Sequence, residues 1–170
     1  MESKGLKTLV SAAARLDIEY RLLMVGNGEY KTDLVKIAEE LGIADRIVWV
    51  DEMLPEQVPE YVNCMDTIVL PSLTTPDWVE FFGRVLIEGM ACEVPVIGSD
   101  SGEIPAVVGD AGLIFPEGDS EALADRIEQI ARNPSLVNQL IQRGLQRVKE
   151  FTWEAIADRT YDVYQAVLKA

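Results

Sequence analysis

Five short apolar runs punctuate the chain: YRLLMV (20–25), RIVWV (46–50), TIVLPS (67–72), PVIGS (95–99) and GLIF (112–115). Between them lie longer stretches whose apolar residues recur every three or four positions. Leu6, Leu9, Val10, Ala13 and Leu16 form one such stripe, and Leu34, Ile37, Ala38 and Leu41 form another that ends at Gly42. Short apolar runs read as buried strands and the stripes as amphipathic helices. Strands that alternate with helices demand right-handed crossovers and a parallel sheet covered on both faces. The expected fold class is therefore α/β, a doubly wound, Rossmann-like parallel sheet with helices on both faces. Further helices are expected over 55–65, where Pro59 must lie in the first turn or kink it, and from Gly83 to Cys92. The chain is expected to finish with helices over 120–131, 135–150 and 153–170. Asp119 or Ser120 is the expected N-cap of the first of these and Thr152 that of the last.

Composition narrows the chemistry. The chain has 170 residues, 48% of them apolar, enough for one domain with a real core. Its formal charge of −14 argues against nucleic-acid binding, which wants a basic face. It leaves room for one small anion held by local donors. With no histidine, Ser-His and Cys-His triads are absent, and zinc is improbable. No Asp-x-Asp pair suggests a magnesium-phosphate clamp, so no metal and no cofactor are expected. Cys64 and Cys92 are expected as buried apolar fillers in a reducing compartment. The opening MESKGLKTLV lacks the basic and apolar blocks of an export signal, and no apolar run is long enough to span a membrane. A cytoplasmic location, without membrane contact, follows as the expectation.

Ligands of doubly wound sheets sit outside the carboxyl ends of the strands. EFFGRVLIE (80–88) follows the strand at 67–72, with Gly83 to Val85 as the expected first helical turn. Free amides and the helix dipole there suit a diphosphate, and Gly83 lets it approach the backbone. Glu80 and Glu88 are eight residues apart, about 12 Å at ~1.5 Å per helical residue. That matches the reach from one sugar to the other across a diphosphate. On spacing alone, Glu80 as a helix-start acid and Glu88 as a solvated surface acid fit as well. Gly26-Asn27-Gly28 lacks the third glycine of the dinucleotide pattern and reads as a strand-terminating turn open to a ligand. Gly102 and Glu103, in SDSGEIP, line a pocket or cap a helix. Trp153 is expected to anchor the last helix in the core.

The stretch PSLTTPDWVEFFGRVLIEGMACEVPVIGSDSGEIPAVVGDAGLIFPEGD (71–119) resembles the donor-binding half of group 1 (family 4) glycosyltransferases, which have the GT-B fold. Two glutamates with seven residues between them, Phe-Gly among those seven, an A-C-G-x-P-V-I turn and an S-x-x-G-x-x-E loop carry the likeness. Lys4-Gly5, VGNG, RIVWVDEM and FTW (151–153) fall in the same order and spacing. The resemblance implies a retaining, metal-independent transfer of a sugar from a nucleoside diphosphate sugar to an acceptor hydroxyl. It implies that Glu80 contacts the donor sugar and supports developing positive charge. Phe82, Gly83, Arg84 and Val85 would run along sugar and phosphates, Glu88 would grip the ribose, and Lys4 would neutralise the diphosphate. Met53 would read the base edge through its backbone, and Gly26 would lie against the donor.

Three departures accompany the likeness. Phe81 stands where glycine is usual, Glu93 replaces the glycine of A-C-G, and the strand and phosphate-binding arginine expected ahead of Lys4 are absent. A left-handed Glu93 costs roughly 1–2 kcal/mol against glycine. The chain is thus expected to be a piece of a GT-B protein truncated at its first strand. Residues 1–152 would form the nucleotide-sugar-binding domain, and 153–170 a helix packing back toward an acceptor-binding N-terminal domain. Alone it is not expected to complete a transfer cycle. A nucleotide-sugar epimerase of GT-B fold, needing acid/base residues from its other half, is the related alternative. A non-catalytic nucleotide-binding module is the third.

Overall fold

A computed structural model describes residues 2–51 and 53–169. Five strands alternate with eight helices: α1 (Leu6–Ala13), β1 (Leu22–Val25), α2 (Lys31–Glu40), β2 (Ile47–Val50), α3 (Val58–Val62), β3 (Ile68–Leu70), α4 (Arg84–Ala91), β4 (Val96–Ser99), α5 (Ile104–Val108), β5 (Leu113–Phe115), α6 (Ser120–Arg132), α7 (Pro134–Arg147) and α8 (Trp153–Leu168). Every strand pair is parallel, as crossover helices require. Pro59 lies in the first turn of α3, where its missing N–H costs nothing. Ala170, the expected last residue of the final helix, lies outside the described residues. Among the described residues, no helix is long and apolar enough to cross a membrane.

The strands do not form one hydrogen-bonded sheet. β1 pairs with β2, while β3, β4 and β5 form a separate ladder. No strand pairing among the described residues joins the two ladders. One apolar cluster nonetheless unites the halves: Met24 and Ile47 from the first ladder, Ile97 and Phe115 from the second, and Leu9, Val10 and Leu123 from α1 and α6. A second cluster joins Ile68, Val96, Leu86, Met90 and Ile104. Neighbouring residues of β4 thus serve opposite clusters, the period of two that a strand imposes. β4 is buried along its whole length because helices cover both faces.

Side-chain caps start the last three helices. Asp119 Oδ1 accepts from the amides of Glu121 (3.0 Å) and Ala122 (2.9 Å). Thr152 Oγ1 accepts from the Ala155 amide at 3.2 Å. Three expectations need correction. Cys64 is exposed, because α3 ends at Val62 and carries it past the buried stripe; Cys92 is only partly buried. Trp153 is 86% exposed at the first position of α8, a helix with no buried residue among those described. Finally, 104–108 forms a helix not expected from the sequence, with Ile104, Val107 and Val108 buried on one side.

Glu93 has φ 61°, the left-handed conformation that its place after α4 demands. The Val94 amide closes the helix end on the Gly89 carbonyl at 2.9 Å. Its side chain is exposed, so Glu93→Gly removes strain without removing packing. Thermal or urea unfolding should show Glu93→Gly more stable by about 1 kcal/mol. A loss of stability would show that the carboxylate, not the backbone, matters there.

Candidate functional site

The carboxyl end of β3 runs into a loop that returns as α4, and Glu80 is the centre of that loop. Its Oε2 accepts from Lys4 Nζ at 3.0 Å and from Ser72 Oγ at 3.2 Å, and its Oε1 from the Gly83 amide at 3.3 Å. The Glu80 side chain is only 14% exposed. Burial by itself raises its carboxyl, but the hydrogen bond and charge of Lys4, then Ser72 and the Gly83 amide, outweigh this. Together they hold it below the usual 4.5. Lys4 also lies 4.5 Å over the ring of Trp78.

Two close approaches fix this arrangement. Gly5 has φ +64°, and a Cβ there would meet the Pro71 carbonyl oxygen at 1.7 Å, so only glycine lets the chain bring Lys4 against the end of β3. Gly102 has φ +53°, and a Cβ there would sit 2.1 Å from the Glu80 carbonyl oxygen. The same carbonyl accepts from the Glu103 amide at 3.0 Å. Gly102 and Glu103 back the Glu80 loop, and Glu103 stands at the N-cap position of α5 without a side-chain capping bond.

Gly83 is not in the helix. It is the left-handed residue before it (φ 76°, ψ 51°), and α4 begins at Arg84. Its amide, expected to be free, is occupied by Glu80, because the turn from Glu80 to Gly83 folds the carboxylate back onto the helix start. The amides of Arg84 and Val85 donate to no acceptor among the described residues. They leave the positive end of an eight-residue helix open. The Arg84 side chain turns outward and pairs with Glu88 one turn on, Nε to Oε1 at 3.1 Å. Glu88 is thus on the exposed side of α4, opposite buried Leu86, Gly89 and Met90. Only the stretch from Arg84 to Glu88 rises as a helix, about 6 Å; the first four residues of the nine turn back on themselves.

Gly26 and Met53 come together elsewhere. They line an open hollow of about 550 Å³ with Val25, Asn27, Asp51 and Val58, at the carboxyl ends of β1 and β2. Asp51 there pairs with Lys31, which lies 5.3 Å over Trp49. Phe82 makes an edge-to-face contact with Phe151, and Phe81 is exposed. Sequence reasoning missed Ser72 and Trp78. A serine at the carboxyl end of the apolar run TIVLPS, where ligands of such sheets sit, is the signal for Ser72. Nothing in the sequence marks Trp78. Among the described residues, no group of three or more His, Cys, Asp and Glu side chains converges as a metal site.

Acid should dissolve this cluster. A carboxyl held below its ordinary value contributes stability that is whole above about pH 4.5 and is lost as pH falls from there through the depressed native value. Lys4→Met should therefore be less stable than wild type at pH 7, by a margin that shrinks as pH falls below about 4.5 in urea unfolding. A margin independent of pH would remove the ion pair from the account.

A family model described as glycosyl transferases group 1 matches residues 1–147. The N-acetyl-alpha-D-glucosaminyl L-malate synthase of Bacillus anthracis is 31% identical over 98% of this chain and 43% of its own length. The lipopolysaccharide core biosynthesis glycosyltransferase LpsE of Rhizobium meliloti is 35% identical over 93% of this chain and 45% of its own. The chain thus spans less than half the length of either. Among solved structures, the sucrose-phosphate synthase of Thermosynechococcus elongatus superposes with a TM-score of 0.82 at 31% identity, over 99% of this chain and 43% of that one. Anabaena HepE in complex with UDP gives 0.87 at 20% identity, over 98% and 46%, a likeness of fold.

Proposed function

The chain belongs to the group 1 glycosyl transferases, and from that premise we propose that it binds the nucleoside diphosphate sugar in a retaining, metal-independent transfer to an acceptor hydroxyl. The observation that carries this reading is the pairing of two unused amides, at Arg84 and Val85, with the largely buried carboxylate of Glu80, four and five residues earlier, that is locked by Lys4. Amides at a helix start hold phosphate. A carboxylate kept charged beside them supports positive charge at a sugar carbon.

In this account the diphosphate lies across the start of α4. Lys4 has three N–H donors and uses one on Glu80, so the same ammonium can also face a phosphate oxygen. As the bond from sugar to diphosphate breaks, negative charge gathers on the leaving phosphate, where Lys4 and the two amides stand. Positive charge gathers on the sugar ring, where Glu80 stands. Because Ser72, Lys4 and Gly83 already hold that carboxylate, little reorganisation is needed at the moment of reaction. Glu88 would hold the ribose hydroxyls, exchanging its contact with Arg84 for them. The hollow at Gly26 and Met53 would take the base.

The acceptor-binding half is assigned to an N-terminal domain of the same parent polypeptide. Residues 153–170 would pack toward it, which agrees with the exposed Trp153, Tyr161, Tyr164, Val167 and Leu168 of α8. A cytoplasmic location completes the proposal.

UDP, GDP and ADP titrated calorimetrically into this chain test the donor assignment, with UDP the first probe because HepE shares the fold and was solved with it. At least one should bind, and Glu88→Ala should weaken it about tenfold, the scale of a lost charge-assisted hydrogen bond. Equal affinity in both proteins removes the ribose role. In a polypeptide carrying both halves, Glu80→Gln should lower kcat by about 10²-fold while donor affinity changes little. Unchanged kcat rejects Glu80 as the catalytic carboxylate.

A further inference from the structure

Arg147 ends α7 and touches none of the groups assigned to the donor, yet it joins two separate supports of the Glu80–Gly83 turn. We propose that Arg147 is a positioning residue for the donor site, closing a ring of contacts that sets the shape of this turn from both its ends. The proposal rests on the donor-site reading above.

The first arm runs through α5. The Glu103 amide holds the Glu80 carbonyl at 3.0 Å, and Glu103 leads directly into Ile104–Val108. This helix is five residues long, so its two ends move as one body. At its far end Arg147 Nε donates to the Val107 carbonyl at 3.1 Å, and Nη2 donates to the Ala106 carbonyl. A guanidinium is the side chain suited to that fork, and a cation suits the negative end of a helix.

The second arm runs through two aromatic rings. The Arg147 guanidinium lies 5.2 Å from the Phe151 ring centroid. Phe151 meets Phe82 edge to face, with centroids 5.4 Å apart and planes at 72°. Phe82 is 38% exposed, so the core alone does not set its place. It is bonded to Gly83, whose amide holds the Glu80 carboxylate. One planar cation therefore fixes the carbonyl side of Glu80 through α5 and the Gly83 side through Phe82. Nη1 donates to Glu150 Oε2 at 2.6 Å, which fixes the guanidinium plane that both arms share.

Arg143, one turn earlier on α7, provides the contrast. It pairs with the Asp110 carboxylate at 3.6 Å and donates to the Asp110 carbonyl at 3.1 Å, and is part of neither arm. Lysine at 147 would keep the charge but lose the fork and the flat contact with Phe151.

The test compares Arg147→Met, Arg147→Lys, Phe151→Leu, Phe82→Leu, the Arg147→Met/Phe82→Leu double variant and Arg143→Met, all as this whole chain. The first readout is the amide spectrum without ligand. Arg147→Met should move the Gly83 and Glu103 amide resonances and Arg143→Met should not; unmoved resonances overturn the ring. The second is calorimetric affinity for whichever of UDP, GDP or ADP binds wild type. Arg147→Met should bind about tenfold more weakly, Arg147→Lys should recover little, and Arg143→Met should match wild type. In the double variant the affinity losses should not multiply, because both changes break one ring. Multiplying affinity losses, or wild-type affinity in Arg147→Met, would overturn the proposal. Should Arg147→Met fail to fold, Phe151→Leu, which keeps most of the volume, carries the same expectations. Absence of binding by wild type would overturn the donor reading, and the amide resonances would still decide the ring.

Discussion

The carboxylate of Glu80, gripped by an ammonium, a hydroxyl and an amide, is the interaction on which the site stands. Each grip comes from a different part of the chain. Lys4 arrives from ahead of α1, Ser72 from the loop just past β3, and Gly83 from the position before α4. A buried carboxylate without these donors would be forced toward its neutral form. Two glycines, at 5 and 102, bring the backbone close enough for the contacts to exist. The remaining features follow: a charged Glu80, a helix start with two unused amides, and a lysine already poised beside them.

A chain of net charge −14 is an unlikely host for a diphosphate if only its overall field is considered. Local geometry resolves the conflict. The positive charge needed is one lysine and the end of one helix, both next to where the phosphates would lie, and short distances outweigh a screened surface. A tight local arrangement also explains why support from behind matters. The loop bearing Glu80 has few apolar contacts of its own, with Phe81 exposed and Phe82 held at its edge by Phe151.

Much of this was legible in the letters. Parallel α/β architecture follows from apolar runs such as TIVLPS and PVIGS alternating with helical stripes, and Glu93 was readable as a left-handed residue because only its place after the helix matters. The sites of error share a cause. Whether Trp153 or Cys64 is buried depends on where a helix begins or stops and on which element lies opposite, and periodicity reports neither. The short helix at 104–108 escaped notice because five residues cannot display a repeat. Gly83's amide was expected free because the eight-residue spacing from Glu80 to Glu88 was read as continuous helix; the chain instead doubles back, and the carboxylate reaches the amide first. Ser72 gave only a faint signal, since its value lies in a partner eight residues away. The division of the strands into two ladders depends on hydrogen bonding between distant segments, which no single run announces.

The central claim is that the start of α4 receives phosphate. Amide chemical shifts of the labelled chain, recorded while UDP, GDP or ADP is added, test it most directly. The account predicts that the amides of Arg84 and Val85 move most and saturate together with those lining the Gly26–Met53 hollow. Saturating shifts confined to other parts of the surface, with Arg84 and Val85 unmoved, would contradict it.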